Sequence, residues 1–519
     1  MNCLFCLPTS QFPISTNMVN PRVSGILLHP TSLPSKFGIG DLGQEAYIFI
    51  DFLATNYQQI WQILPLGPTG YGHSPYLCYS AFAGNPLLIS LENLCARGLL
   101  TEEDLGQLPE FPPDRVDYDL VIATKLPLLE KASQNFYTQA SPADWEKFHH
   151  FCTYQADWLD DYALFMAIKA AHGGVEWTSW ETDIAKRKPE ALKNWQQSLE
   201  KEIFTHKYLQ FLFFSQWGNL RHYAQEKGVR IFGDIPIYVA PDSADVWAHP
   251  ELFCLDEATG KPALMAGVPP DYFSATGQLW GNPVYNWTEL AKTNFSWWVR
   301  RVEVTLEYVD QVRIDHFRGF QAFWAVAAPA DNAMEGRWID APGADFFQVL
   351  GDKLGHLPIV AEDLGIITPE VEALRDQFQL PGMKVTHFAF DSDRANPFLP
   401  YNYPSANCVA YTGTHDNDTT IGWFAGRSPQ EKQRVMDYLG CIDSQGINWS
   451  LIRLVFSSIA NQAVIPLQDI LGLDTQGRMN FPGEAEGNWN WRYRKDLLTV
   501  SIGNYLKELT YVYGRTPFK

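Results

Sequence analysis

This sequence is short of cysteine, of positive charge and of long apolar runs, and each shortage closes off a class of function. Eight cysteines in 519 residues are too few for a disulfide scaffold. Cys3 and Cys6 have C-x-x-C spacing, but no second pair stands near them, so an accidental pair outweighs a metal or redox site. Cys78, Cys95, Cys152, Cys254, Cys408 and Cys441 are scattered, as free thiols in a reducing compartment are. A net charge of −20 repels polyanions, which argues against nucleic acid and anionic membrane as partners. No apolar run reaches the roughly 18 residues that a membrane span requires. The N-terminus lacks the basic stretch and apolar run of a signal peptide. The expected location is therefore cytoplasmic, or a plastid in a plant, with residues 1–20 as a loose tail. There is no HExxH, and no glycine-rich dinucleotide loop follows an early strand. Neither metal nor cofactor is expected, and no internal repeat stands out.

Apolar and aromatic residues are plentiful. The chain is 46% hydrophobic and 14% aromatic, with 18 Trp and 23 Tyr. Part of that aromatic content packs a core; the remainder suits a long neutral ligand with apolar faces and many hydroxyls, such as a sugar chain. Short β-rich runs recur: GILLHPTS from Gly25, IWQILPL from Ile60, VRIFGDIPIYV from Val229 and QVRIDHF from Gln311. LPIVAEDL from Leu357, MKVTHFAF from Met383, CVAYTGTHD from Cys408 and AVIPLQDIL from Ala463 follow. Their continuous apolar character points to strands buried on both faces, hence a parallel sheet. Helical patterns at 208–227, 369–378, 430–439, 447–460 and 494–512 lie among or after them. The simplest architecture is an α/β (β/α)8 TIM barrel with large, mainly helical insertions in the βα loops, a doubly wound open sheet being the alternative. The spacing predicts a catalytic barrel over 21–519. It is interrupted by a mainly helical subdomain at 67–228 and by a Pro-, Gly-, Tyr- and Trp-rich cleft insertion with a mobile loop at 240–310.

Reactive groups of such a barrel sit where strands meet the loops at their C-terminal ends. That rule selects Asp234, Arg313 and Asp315, Glu362 and Asp363, and then His415, Asp416 and Asp418. Paired carboxylates are the apparatus of glycoside bond exchange, in which one stays ionised to attack and the other holds a proton for the leaving oxygen. Arg313 points to the same face as Asp315 two residues on, and its charge favours an ionised nucleophile. Glu362 lies in an apolar run, where burial and acidic neighbours favour the protonated acid/base. Asp416 is the third acid, placed to stabilise positive charge in the transition state. His415 can hydrogen-bond a sugar hydroxyl, with a core role as the alternative. His316 is expected to be structural and to face away. A buried structural salt bridge is the competing account of Arg313 and Asp315.

At this point the chain resembles the amylomaltase or disproportionating-enzyme family of 4-α-glucanotransferases, glycoside hydrolase family 77. HPTSLPS at 29–35, GIGDLG at 38–43, WQILPLGPTGYGHSPY at 61–76 and SAFAGNP at 80–86 carry the likeness. GDIPIYV at 233–239, GVPPDYFSATGQLWGNPVYNW at 267–287, RIDHFRGF at 313–320, AEDLG at 361–365, YTGTHDND at 411–418 and the MNFPG…GNWNWR region extend it. The resemblance implies Asp315 as nucleophile, Glu362 as acid/base and Asp416 as transition-state carboxylate, with Arg313 and His415 beside them. It further implies Asp271 and Trp280 on a flexible loop over the sugars, and Tyr76, Ser74 and Asp234 in the cleft. Where the family carries Asp before SPY, this chain has His73. Implied partners are α-1,4-glucans and maltooligosaccharides, with glucose as an acceptor. The implied cycle is retaining, with Asp315 and Glu362 carboxyls about 5–5.5 Å apart. A non-catalytic glucan-binding scaffold is the rival class, and sequence leaves transfer against hydrolysis open.

Overall fold

The apolar runs form strands, and the computed structural model describes them within residues 22–106, 108–270, 274–484 and 486–517. The tail at 1–20 lies outside the described residues. In chain order the strands are β1 (Val23–Leu27), β2 (Ile60–Gln62), β3 (Arg230–Ile235), β4 (Leu264–Val268), β5 (Gln278–Pro283) and β6 (Gln311–Ile314). After them come β7 (Ala322–Ala327), β8 (Gly336–Asp340), β9 (Ile359–Ala361), β10 (Gly382–Val385), β11 (Cys408–Tyr411) and β12 (Gln462–Pro466).

Eight of these make one parallel sheet in the order β10-β11-β12-β1-β2-β3-β6-β9. The sheet curls until its end strands meet, where Ala361 N–H donates to Pro381 C=O at 2.8 Å. Asp363 finishes this seam. It accepts from Met383 N–H at 2.7 Å and from Arg375 Nη1 at 2.5 Å. Gly382 leaves room for that carboxyl, since a Cβ there would stand 2.3 Å from Asp363 Oδ2. The barrel expected from sequence is therefore present. Every residue of β1, β2, β9 and β11 is buried, as continuous apolar runs require when helices cover the outside and side chains fill the inside.

The helix expected at 208–227 is the end of a longer one, Glu200–Glu226, and the helix expected from 494 is regular only over Val500–Val512. Between β10 and β11 only short 3-10 turns form. The proline-rich connection there, NPFLPYNYP at 396–404, removes backbone donors and disfavours helical conformation before each proline. A second, antiparallel sheet of order β5-β4-β7-β8 lies beside the barrel. It was not apparent from sequence, because its strands flank β6 on both sides and carry turn residues such as Gly277 and Gly281 at positive φ. Among the described residues no helix is long and apolar enough to cross a membrane.

Far along the chain from the strand tips, Arg515 ties the ends together. Its side chain is buried, and it donates to Val23, Phe456, Ser458 and Ala460 C=O at 2.9–3.2 Å. Replacing it with Met removes one donor from each. Arg22 still serves Phe456 and Ser458 C=O at 2.9 and 2.8 Å, while a buried carbonyl left without a donor costs about 1–3 kcal/mol, offset by relief of a desolvated charge. Arg515→Met is expected to lower unfolding free energy by about 2–4 kcal/mol. The check is a fall in the urea midpoint at unchanged slope; an unmoved midpoint rules the staple out.

Candidate active site

The site is built in layers up the barrel axis. Tyr411 on β11 donates across the interior to Gln62 Oε1 on β2 at 3.0 Å. Near this bond, Asp234 and Arg313 are register partners on β3 and β6, so their side chains leave the sheet on the same face. Arg313 Nη1 reaches both Asp234 oxygens at 3.0 and 2.8 Å. Tyr76 Oη donates to Asp234 Oδ2 at 2.7 Å. The Asp234 side chain has no exposed surface, so it supports Arg313 and Tyr76 from beneath. Burial pushes its carboxyl up to about 7, with Arg313 opposing and Asp315 adding to the rise.

The other end of the same guanidinium holds the next acid. Arg313 Nη2 donates to Asp315 Oδ1 at 2.7 Å, and the Asp315 side chain keeps 30% of its surface in solvent. Burial works against the Arg313 charge, but Asp234 and Asp315 outweigh it and keep the guanidinium protonated.

Ile314 and Ala361 pair across β6 and β9, so Asp315 and Glu362 emerge side by side from adjacent strand ends, where strands run about 4.8 Å apart. Glu362 sits in a cradle of backbone donors. Oε2 accepts from His316 N–H at 2.7 Å and Oε1 from Leu364 N–H at 2.9 Å. Those bonds and Arg313 favour the anion, but burial and Asp315 prevail and push the Glu362 carboxyl up to about 7. His316 can donate there because its backbone is left-handed, φ 49° and ψ 51°, a conformation that non-glycine residues seldom adopt. Its ring, expected to face away from the chemistry, stands edge-on to Trp280 at 4.8 Å, and burial lowers its pKa to about 4.

The β11 loop supplies the remaining groups. His415 stacks on Tyr76 at 5.2 Å and meets Asp416 Oδ1 at 3.4 Å through Nε2. Burial lowers the pKa of His415, with Asp416 opposing. The Asp416 side chain is 45% exposed, so it faces the cleft rather than the core. Sequence reasoning missed the residues that hold it: Asn480 Nδ2 donates to Asp416 Oδ1 at 2.7 Å, and Arg478 Nη2 to its backbone carbonyl at 2.7 Å. The MNFPG segment was the available signal. Asp469, also missed, anchors the same loop by accepting from Thr412 Oγ1 at 2.5 Å, Thr420 N–H at 2.6 Å and Thr420 Oγ1 at 2.7 Å.

Arg313, Asp315, Glu362, Asp416, His415, Tyr76 and Asp234 thus converge, and Trp280 joins them through His316. Ser74 stands at the preceding turn, where its Oγ accepts from Tyr76 N–H at 3.2 Å. His73 stacks on Tyr118 at 4.0 Å. Asp363 belongs to the seam, and Asp418 is turned toward Thr475 Oγ1 at 2.9 Å. Asp271 lies outside the described residues. Among the described residues no group of three or more His, Cys, Asp or Glu is arranged to hold a metal.

Two acids on adjacent strand ends, one paired with a guanidinium and one pushed toward its neutral form, match the pattern of glycoside chemistry. The family model for 4-alpha-glucanotransferases of glycoside hydrolase family 77 matches residues 28–499. The chain belongs to that family. It is 60% identical to a 4-alpha-glucanotransferase of Synechocystis sp. over 96% of this chain and 99% of that one. It is 51% identical to a 4-alpha-glucanotransferase of Thermus thermophilus over 94% and 98% of the two chains. Among solved structures, an amylomaltase from Streptococcus agalactiae in complex with acarbose superposes with a TM-score of 0.92 at 39% identity, covering 96% of this chain and all of that one.

The raised pKa of Glu362 has a consequence for folding. A carboxyl that binds its proton more tightly when folded stabilises the fold fully below its unfolded pKa, near 4.5, and that contribution is lost as pH rises through about 7. Glu362→Gln removes the titration. Its urea midpoint relative to the parent is expected to climb between about pH 4.5 and 7 and then level off. A difference independent of pH would mean that the carboxyl titrates normally.

Proposed function

We infer that this enzyme moves a segment of an α-1,4-glucan to the 4-hydroxyl of glucose or of another α-1,4-glucan, by a retaining double displacement. Asp315 attacks C1 of the donor while Glu362 protonates the departing glycosidic oxygen, leaving a covalent glycosyl ester. Glu362, now anionic, takes the proton of the incoming 4-hydroxyl as that oxygen attacks C1. The ester breaks, Asp315 is regenerated, and the new bond has the original α configuration. Asp416 opposes the positive charge that develops at C1, and His415 holds a sugar hydroxyl. Tyr76 and Trp280 offer ring faces to the glucan, and Arg313 orients Asp315 through its hydrogen bond. An acceptor on the donor's own chain would close a ring, so cycloamylose formation belongs to the same chemistry.

The observation that carries this reading is the opposite treatment of the two neighbouring acids: Asp315 hydrogen-bonds a buried guanidinium, while burial drives Glu362 toward its neutral form. The likeness to the acarbose-bound amylomaltase supports the substrate class. The cleft insertion that carries Trp280 favours transfer over hydrolysis, because a wall over the ester limits water while a sugar is held in line. A cytoplasmic or plastidial setting fits the free thiols of the described cysteines.

Maltotriose distinguishes the alternatives. Transfer yields free glucose together with a ladder of longer oligosaccharides; glucose and maltose without elongation would identify a hydrolase, and binding without any product a scaffold. Because Glu362 must carry a proton to begin the cycle, kcat/KM is expected to fall as pH rises through about 7.

Asp315→Asn keeps the shape of the side chain but removes its nucleophilic charge. It is expected to reduce turnover by at least about 10³-fold with the fold intact. Substantial residual transfer in a folded variant would remove Asp315 from its role.

A further inference from the structure

Arg318 stands three residues after Asp315 and takes no part in the cycle described above. Its side chain is buried, which for a guanidinium is costly unless something answers the charge. Glu370 answers it only by charge, with no hydrogen bond between the two; the direct contacts are a carbonyl and an aromatic ring. Nη1 donates to the backbone carbonyl of Ile366, and the guanidinium lies 3.9 Å from the centre of the Trp338 ring on β8. Nε is buried without a hydrogen-bond partner.

The two ends of this contact belong to the two turns that hold Glu362. Arg318 is part of the 3-10 turn Phe317–Phe320, which continues directly from the left-handed His316 whose N–H holds Oε2. Phe317 N–H also donates to the Glu362 carbonyl at 3.1 Å. Ile366 closes the opposite turn, in which Gly365 sits at φ +85° and Leu364 N–H returns to hold Oε1. That second turn is otherwise exposed, with Ile366 at 55%. Asp363 fixes the near end of that turn at the seam and Leu364 packs against the core; Arg318 is the grip on its far end.

We propose that Arg318 is a positioning residue for the acid/base step, its grip on Ile366 and its stack on Trp338 locking together the two turns whose backbone N–H groups orient Glu362. The proposal rests on Glu362 being the acid/base. Trp338 extends the lock outward, because β8 belongs to the antiparallel sheet that also carries Trp280 on β5. Arg318, Ile366 and Trp338 have no part in holding the glucan in the cycle above, so substrate affinity is expected to be spared while proton transfer loses alignment.

The test is steady-state transfer from maltotriose across pH, with thermal unfolding in parallel, for Arg318→Met, Arg318→Lys, Trp338→Leu and Glu362→Gln. Arg318→Met is expected to lower kcat about 10–100-fold with KM within about twofold. The alkaline limb of kcat/KM is expected to move upward by roughly half a unit, because the Glu362 anion loses part of its Leu364 hydrogen bond. The charges that act on that carboxyl, Arg313 and Asp315 from β6, are left unchanged, while His316 loses the Arg318 charge that helps keep it neutral. Arg318→Lys reaches the carbonyl but not the flat stack and should restore part of kcat. Unchanged kcat and limb in Arg318→Met, whatever its melting temperature, overturn the proposal. If that variant does not fold, Trp338→Leu decides: a lower kcat with a moved limb supports the lock, and parent-like values overturn it. An active Glu362→Gln would instead overturn the underlying reading, whereas an inactive Glu362→Gln beside a parent-like Arg318→Met removes only the lock.

Discussion

One guanidinium, that of Arg313, sets the chemistry of the barrel mouth. It is shared between a buried acid beneath it and a half-exposed acid above it, Asp234 and Asp315. Were Asp234 absent, Arg313 could swing fully onto Asp315 and tie up both of its oxygens in a closed ion pair. With one nitrogen committed below, Arg313 spends a single hydrogen bond on Asp315. The acid is oriented by that bond, and its second oxygen receives no donor from Arg313. A strand supplies this for little entropy, since residues two apart share a face and need no loop to bring them together.

The same strand spacing makes the second acid different without making it distant. Glu362 feels Arg313 as well, but it also feels Asp315 and has less access to water, and these outweigh the guanidinium. Its two backbone donors do not reverse that balance; they fix direction. Orientation and protonation are therefore set by separate features. The left-handed turn at His316 and the return of Leu364 decide where the carboxyl points, and burial beside Asp315 strengthens its hold on a proton. A backbone strained at His316 persists because the packed barrel over-determines it.

Much of this was legible in sequence because parallel strands announce themselves twice, as continuous apolar runs and as polar residues at their C-terminal ends. Asp234, Arg313, Asp315, Glu362, His415 and Asp416 all stand in such a place. What stayed hidden shares another property: it depends on contacts between residues far apart in the chain. Asn480 and Arg478 reach Asp416 from more than sixty positions away, and no periodicity encodes that. Asp363 looked like a rim acid beside Glu362, yet the alternation of a strand turns it to the seam between β9 and β10. The antiparallel sheet was missed because β5 and β8 are mixed in polarity and incompletely buried, while β7, an apolar run, pairs with β4 only across β6.

That missed sheet has a mechanical meaning. Its four strands are two pairs, β4 and β5 before β6, and β7 and β8 after it. The sheet carrying Trp280 is thus joined to both ends of the strand that carries Arg313, before it through the helices Trp287–Lys292 and Ser296–Tyr308 and after it through the short turn that leads to β7. A wall attached in this way cannot drift as a separate domain on a linker; any displacement of β5 is resisted through β4 and β7, whose ladder with each other spans four register pairs. The edge of Trp280 against His316 then brings the wall back onto the turn that orients Glu362. In the proposed cycle a covalent ester must be protected from water for long enough to meet a sugar, and that calls for a cover registered to Asp315 and Glu362 rather than hung loosely over them.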